Sequence, residues 1–206
     1  FGQGEGRLRH AARNLGLALL NTLVLSLVFS TLVVLLVDQT QARSWGLLHH
    51  LALGTWGAWI IAFLLLDGTM YAWHRANHRI PFLWRFHRVH HSDPHMDVTT
   101  ATRFHLGEHT GAFLVRCALV VLGGFDVMHL VVYDLSLIVM THFHHADISL
   151  GRFDPLLRLL IVTPDMHKTH HSERQSETDS NYSVVFSVWD RLGRSYVVSR
   201  DPRAIR

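Results

Sequence analysis

Histidine triplets occur twice in this chain with the same spacing. They are His87, His90 and His91 in "FHRVHHSD", and His167, His170 and His171 in "MHKTHHS". Residues at i, i+3 and i+4 share one face of an α-helix, so each triplet can present three imidazole nitrogens in one direction. Imidazole binds zinc, copper, iron and nickel. The repeated pattern therefore predicts a metal site without selecting the metal.

Further histidines enlarge the set of candidate ligands. His74 and His78 are spaced i, i+4 in "WHRANHR", and His145 ends "THFHH", where His142 and His144 are additional possible ligands. His74, His78, His145 and the two triplets exceed the four to six positions around one ion, so two ions are predicted. Two adjacent ions fit either activation of dioxygen or a two-metal hydrolysis.

Long apolar segments predict helices that cross a membrane. Residues 15–37 contain no charged side chain, and at about 1.5 Å per residue they are long enough to span a hydrocarbon core of about 30 Å. A second apolar segment covers residues 46–66 and a third covers residues 111–140. The interruption "GGFD" in the third segment predicts a broken helix or a helical hairpin.

These segments predict an all-α fold, an integral membrane helical bundle with a histidine-rich helical cap that holds a dimetal site. We expect a single membrane domain over residues 1–206, with the cap formed by residues 67–110 and 141–196. Arginines precede the first span and follow the second: Arg7, Arg9, Arg13, Arg75, Arg79, Arg85 and Arg88. By the positive-inside rule, the cap is expected on the cytoplasmic side. A shared site also requires the third apolar region to return to the side that it left.

Composition excludes several other classes of protein. The chain of 206 residues is 49% hydrophobic and 17% charged, and it carries 18 histidines and a formal net charge of +3. So small a charge, without a basic stripe, predicts no nucleic-acid partner. The single cysteine, Cys117, excludes an intramolecular disulfide and a cysteine-rich zinc module.

The stretch from Asp67 to Tyr196 resembles the two signature regions of the sterol desaturase / fatty acid hydroxylase superfamily. The boxes H-x-x-x-H, H-x-x-H-H and H-x-x-H-H carry the resemblance, with "NY" and "WD" after the last box. It implies an integral membrane, multi-pass enzyme in which the boxes bind two non-haem iron ions. It also implies dioxygen as co-substrate and a separate electron donor, such as cytochrome b5 or a ferredoxin with its reductase. The implied reaction is hydroxylation or desaturation of an aliphatic C–H bond of a lipid.

Carried over by position, the resemblance assigns nine iron ligands. They are His74, His78, His87, His90, His91, His145, His167, His170 and His171. Polar residues near the boxes are expected to orient ligand rings or to cap helices: Asp67, Tyr71, Asp93, Asp147, Asp165 and Asn181. The chain departs from the family pattern at Leu106, at Asp147 in place of asparagine, at Ser183 in place of glycine, and in "LGRSY" at Leu192–Tyr196.

Two other functional classes are compatible with a histidine-rich membrane protein. A membrane zinc hydrolase is one alternative, although the chain lacks H-E-x-x-H. A non-enzymatic metal carrier or a bis-histidine haem protein is the other, with His49, His50 and His129 in or beside apolar segments. The sequence leaves the lipid open among sterols, fatty acyl chains and carotenoids.

Overall fold

Helices make up the secondary structure of residues 6–199, which are the part of the chain that this computed structural model describes, without the side chains of residues 26 and 27. In chain order they are α1 (Arg7–Ala42), α2 (Leu47–His50), α3 (Thr55–Arg79), α4 (Pro81–His91), a 3-10 helix (Val98–Thr102), α5 (Leu106–Gly123), α6 (Val127–His145), a second 3-10 helix (Gly151–Phe153), α7 (Asp154–Leu157), α8 (Pro164–His170), α9 (Gln175–Thr178) and α10 (Val188–Leu192). The described residues contain no strand, as the all-α prediction requires.

Three helices are long and apolar enough to cross a membrane: α3, α5 and α6. Arg7–Leu25 and Val28–His50 meet at 50° and add a fourth span if they act as one. Large apolar side chains cover the outside of these helices; Leu23 is 71% exposed, Leu122 70% and Val139 65%. An exposed apolar surface of this kind is stable in lipid, so the chain is an integral membrane protein.

The second apolar segment begins its long helix later than the sequence predicts. Instead of continuing from residue 46, the chain forms the short α2, leaves the helix at Leu51, and starts α3 at Thr55. Gly46 has φ +95° and lies so close to the turn at Gly124 that a Cβ atom would be 2.2 Å from the Gly124 nitrogen. This close approach of two backbones requires glycine at residue 46. The helical conformation is interrupted farther along the chain, between Leu51 and Gly54.

The third apolar region is a helical hairpin at "GGFD", in agreement with the sequence. Gly124 adopts a left-handed conformation after α5, and the Asp126 side chain caps α6 by accepting from the His129 N–H at 2.9 Å. Arg116 on α5 and Asp134 on α6 form a two-pronged ion pair across the hairpin. The two helices are therefore antiparallel.

Removing one partner of the Arg116–Asp134 pair is expected to destabilise the protein because both side chains lie in candidate membrane spans. We expect Arg116→Ala to lower the free energy of unfolding by about 1–3 kcal/mol, since it leaves a carboxylate without its partner in lipid. Thermal unfolding in a mild detergent measures the loss. A variant with leucine at both positions serves as the control and should stay close to the wild type; equal stability of the single variant and the wild type would contradict the prediction.

The parts of α3, α4, α6 and α8 that carry the nine candidate ligands lie at one end of the bundle. At this end, His10 near the start of α1 donates to Asp93, which follows α4, at 2.6 Å. At the other end, Gln41 near the end of α1 donates to the carbonyl groups of Gly124 and Phe125, both at 3.1 Å. Since α5 leaves the histidine end and α6 returns to it, the histidine groups can share one site.

Two buried carboxylates fix the C-terminal segment on the bundle. Asp67 accepts hydrogen bonds from the Trp189 indole at 2.7 Å, from the backbone of Phe186 and Val185, and from the Tyr133 hydroxyl. Asp190 accepts from the N–H groups of Tyr182 and Ser183 and from the Ser195 hydroxyl. These bonds hold residues 180–186 against the end of α3, which carries His74.

Candidate metal centre

The ends of four helices, α3, α4, α6 and α8, bring the predicted ligands together. His74 and His78 occupy the last turns of α3, which ends before Pro81 because proline restricts the preceding residue and begins α4 as its first residue. The resulting bend turns α4 back over α3. Helix α8 begins at Pro164 with Thr163 as its N-cap, and α6 ends at His145.

The nine histidines form two clusters in which the candidate ligand atoms lie within 4.8 Å of one another. The first cluster contains His74, His78, His87, His91 and His170. The second cluster contains His90, His145, His167 and His171. The stacked rings of His91 and His171, with centroids 4.3 Å apart, join the two clusters.

Each H-x-x-H-H triplet is divided between the two clusters. On α4, the i, i+4 pair His87 and His91 belongs to the first cluster and His90 to the second. On α8 the assignment is reversed, because His167 and His171 belong to the second cluster and His170 to the first. The helices thus contribute to both sites, which fixes the sites relative to each other.

Hydrogen bonds hold four of the rings with one nitrogen turned inward. His74 Nδ1 donates to the Tyr182 carbonyl at 2.8 Å and His170 Nδ1 to the Ser180 carbonyl at 2.6 Å. His145 Nδ1 donates to the carbonyl of Thr141 at 2.7 Å, and His87 Nδ1 donates to the carboxylate of Glu108 at 2.8 Å. With the proton on Nδ1, each Nε2 is left with a free lone pair.

The inward nitrogens approach one another as ligands of a shared cation do. Nε2 of His74 lies 3.2 Å from Nε2 of His87, and Nε2 of His145 lies 3.1 Å from that of His90 and 3.0 Å from that of His167. Metal–nitrogen bonds of about 2.0–2.1 Å place two nitrogens of one ion about 3.0–3.4 Å apart. Facing lone pairs repel unless a cation lies between them, so both clusters fit metal ions.

A surface depression of ≈490 Å³ leads to the clusters. Three ligand candidates, His78, His91 and His171, line it. Its remaining walls are Pro81, Trp84, Ser172, Glu173, Gln175, Thr178 and Asp179. The depression is therefore a route by which a small molecule or a polar head group can reach the histidines.

Comparison with models of protein families shows the family of this chain. The model of the fatty acid hydroxylase family matches residues 59–195, which include both clusters. The chain belongs to the fatty acid hydroxylase family. The resemblance of its histidine boxes to this superfamily is thereby confirmed.

Several curated members of the superfamily are similar to the chain. An alkylglycerol monooxygenase from Danio rerio is 28% identical over 162 residues, 76% of this chain and 35% of that protein. Ornithine lipid hydroxylase OlsE from Rhizobium tropici is 29% identical over 65% of this chain and 40% of its own length. Cholesterol 25-hydroxylase from Mus musculus is 28% identical over 65% and 44%. The chain spans less than half the length of these relatives, and no solved structure matches it.

Burial keeps the histidines of this family member neutral. Desolvation lowers the pKa of His90, His91, His167 and His171 well below the usual value, and lowers the pKa of His170 to about 3. Neighbouring histidines act in the same direction, because two imidazolium ions repel each other. Neutral imidazole is the form that binds metal, so at neutral pH these rings can bind a metal ion without first losing a proton.

The depressed pKa of His170 predicts loss of stability in acid. The pKa of the residue is 6.5 when unperturbed and about 3 in the fold, so the unfolded chain takes up the proton first. The free energy of unfolding is therefore independent of this group above pH 6.5 and decreases as the pH falls from 6.5 to 3. For the metal-free protein at about pH 5, we expect the free energy of unfolding to be lower by about 2 kcal/mol. Thermal unfolding as a function of pH measures it, with His170→Asn as the control that should show a shallower slope.

Several of the polar residues near the boxes contact groups other than a ligand ring. Asp67 and Tyr71 contact the C-terminal segment instead of a ligand ring; the Tyr71 hydroxyl bonds the Ser195 hydroxyl at 2.9 Å and accepts from Arg75 at 3.0 Å. Asp147 is an exposed partner of Lys168 at 2.7 Å. Asp93 binds His10 and Asn14 of α1.

The additional histidines of α6 lie outside the two clusters. His142 donates to the Ile138 carbonyl of its own helix at 2.8 Å, whereas buried His144 packs on the ring of His167 with centroids 4.0 Å apart. Among the histidines considered for haem, His49 and His50 are exposed and His129 packs on Trp59.

Asn181 lies between the two backbone carbonyl groups that accept from His74 and His170. Its φ of +51° is left-handed, a conformation that asparagine tolerates better than most residues. Its side chain bonds the backbone of Met166 and of Val197. The carbonyl groups on either side, of Ser180 and Tyr182, are the acceptors of His170 and His74. This arrangement is compatible with the expected role of Asn181 in orienting the two ligand rings.

Two contacts of the ligands were missed by the sequence analysis. Glu108 is 7% exposed and binds His87, and the ring of Phe104 stacks on His90. A glutamate in the first turn of a candidate membrane span is a signal that was available in "RFHLGEH", because an unpaired carboxylate is costly there. The stacking of Phe104 on His90 could not be predicted from the sequence, since an aromatic residue beside an apolar helix is common.

Proposed function

We propose that this chain is the catalytic core of a membrane lipid hydroxylase that binds two iron ions and uses dioxygen with electrons from a separate donor. Two adjacent, buried clusters composed only of histidine carry the proposal. Imidazole is a good ligand for iron, and nine ligands suit two ions. The activities for which the relatives are named, monooxygenase and hydroxylase, support the same reaction class.

Iron is favoured over hydrolytic zinc by the surroundings of the clusters. A two-metal hydrolase needs a general base within reach of a metal-bound water. Two carboxylates lie beside ligand rings in the described residues, and each faces an Nδ1 nitrogen. Glu108 accepts from His87 Nδ1 at 2.8 Å, on the side of the ring opposite to Nε2, and Asp179 lies 3.7 Å from His78 Nδ1. When bound, two iron ions would supply the activation of dioxygen that oxidation of an aliphatic C–H bond requires.

The chain itself contributes fixed ligand geometry and a shielded site. Backbone acceptors at residues 141, 180 and 182 and the carboxylate of Glu108 set the protonated nitrogen of four rings. Burial excludes water from the reacting region and keeps the imidazoles uncharged. Rings that are fixed in this way would hold two ions with little movement of the ligands during the reaction.

We propose a membrane lipid as substrate because the relatives are named for an alkylglycerol, an ornithine lipid and cholesterol. The substrate is taken from the bilayer, and the depression beside His78 and His91 accommodates its polar part. Arginines at the histidine end of the bundle support a cytoplasmic cap, where a cytochrome b5 or a ferredoxin with its reductase would deliver electrons.

The test combines metal content with oxygen transfer. The protein is purified in mild detergent without a polyhistidine tag, and its metals are measured by mass spectrometry. We expect about two iron ions per chain, consumption of dioxygen only when a reductant and a membrane lipid extract are present, and incorporation of isotope-labelled dioxygen into a lipid hydroxyl group. Zinc with water-derived oxygen in the product would instead support a hydrolase, and absence of any bound metal would refute the proposal. A double bond in the product would identify a desaturase.

A further inference from the structure

Helix α1 lies outside the region matched by the family and carries buried polar residues on one face. His10, Asn14 and Asn21 are 0%, 0% and 4% exposed, whereas neighbouring Leu20 and Leu23 are 57% and 71% exposed. The spacings of 4 and 7 residues place the three polar side chains along one side of the helix. Polar groups buried within an apolar helix need partners, and these partners lie in the segment that follows the second histidine box.

Two of the three residues fix the start of that segment. Asp93 accepts from His10 Nε2 at 2.6 Å, from Asn14 Nδ2 at 2.9 Å and from the Thr100 hydroxyl at 2.8 Å. Arg103 bridges Asn14, at 3.0 Å, and the Val89 carbonyl of α4, at 2.9 Å. Helix α1 thus holds both ends of residues 93–103 and the helix that bears His90.

The third residue leads to a ligand ring. Asn21 Nδ2 donates to the Phe104 carbonyl at 2.8 Å. The Phe104 ring stacks on His90, with centroids 4.6 Å apart and planes within 8°. His90 belongs to the second cluster, and its Nε2 lies 3.1 Å from that of His145.

His90 shares with His78 and His167 the lack of a hydrogen bond at Nδ1 among the described residues, and it differs from them in stacking on the ring of Phe104. Rings of His74, His87, His145 and His170 are oriented by a hydrogen bond from Nδ1. His90 Nδ1 is buried and has no hydrogen-bond partner among the described residues. Phe104 is the near-parallel contact of the His90 ring, at 8°, whereas the rings of His145 and His171 meet it edge-on at 73° and 72°.

We propose that α1 is a positioning element for the second metal site, acting through Asn21, Phe104 and the ring of His90. Loss of the stacking lets His90 rotate, so that Nε2 leaves the position it shares with His145 and His167. The first cluster, which does not contain His90, keeps its geometry. The inference rests on the proposed function only in that the two clusters bind metal.

The experiment measures metal affinity at the two sites separately. Full-length protein in detergent is freed of metal and titrated with cobalt(II) in competition with a chelator, and the visible spectrum reports the ligand field. We expect Phe104→Leu to weaken one of the two bound ions about 10- to 100-fold, the usual effect of losing an outer contact of a ligand. The other ion should keep wild-type affinity.

Three further variants separate positioning from general stability. Phe104→Tyr keeps a flat ring and should restore wild-type binding. Asn21→Ala lies on a different helix from every ligand and should weaken the same ion as Phe104→Leu. Thr22→Ala, at an exposed neighbour of Asn21, should change neither.

Distinct outcomes identify which claim fails. Two tightly bound ions in Phe104→Leu, or equal weakening of both ions, would overturn the positioning role and leave the proposed function intact. Failure of the wild type to bind any cobalt(II), iron or zinc would overturn both.

Discussion

Replacing His170 and His171 together by alanine will remove one ligand from each cluster and leave the protein almost free of metal. His170 belongs to the first cluster and His171 to the second although they are adjacent in the chain. Loss of an outer contact alone costs about 10- to 100-fold in metal affinity, so loss of a ligand at each site should cost more than about 100-fold at both. Metal content by mass spectrometry and oxygen transfer to lipid should fall together.

A second double variant provides the matched comparison. His91→Ala with His170→Ala removes two ligands that are distant in sequence but belong to the same cluster. About one ion per chain should remain, because the four histidines of the second cluster are intact. If each triplet instead served its own ion, this variant would lose both ions and the adjacent pair would lose only one. His142→Ala, outside both clusters, should retain full metal content.

The second large effect is expected at Glu108, the carboxylate that accepts from His87 Nδ1. Glu108→Ala leaves a buried N–H group unpaired and the ring free to turn, which should weaken the first metal about 10- to 100-fold. Glu108→Gln keeps an acceptor but removes the charge that makes the imidazole a stronger ligand, so an intermediate value is expected. Chelator competition measures both.

Helix stability must be separated from ligand positioning in that experiment. Glu108 lies in the first turn of α5, where a negative charge also interacts favourably with the helix dipole. Thermal unfolding of the metal-free variants measures the change in stability, which includes both this interaction and the hydrogen bond to His87. Asp147→Asn is the control for removal of a carboxylate near the boxes, since Asp147 is exposed and pairs with Lys168. Wild-type metal affinity in Glu108→Ala would show that His87 does not need this contact.

Local patterns in the sequence were sufficient for the elements and for the ligand list. Uninterrupted apolar segments predicted membrane helices, and "GGFD" predicted the hairpin because glycine and aspartate end and cap helices wherever they occur. The nine histidines could be proposed from helical spacing and the family resemblance, and all nine lie in the two clusters.

Asp67 and Tyr71 were expected to orient a ligand ring, but a shared helical face does not fix the distance between side chains along the helix axis. Both share a helical face with His74, which suggested contact with its ring. Seven residues correspond to about 10 Å along the axis, so Asp67 lies beside the C-terminal segment, where Trp189 and the backbone of Val185 and Phe186 reach it. Spacing in one helix gives the direction of a side chain but not what another segment places there.

The sequence by itself determined that this protein is helical, membrane-embedded and built around histidines with the spacing of metal ligands, because those properties depend on composition and on spacings within single helices. Only the tertiary structure decided which member of each triplet lies in which cluster, why residue 46 beside the turn at Gly124 must be glycine, and how Glu108, Phe104 and α1 support the candidate ligands. These features arise from contacts between residues far apart in the chain, such as Asn21 with Phe104 and His87 with Glu108. Such contacts depend on how the helices pack, which no local pattern records.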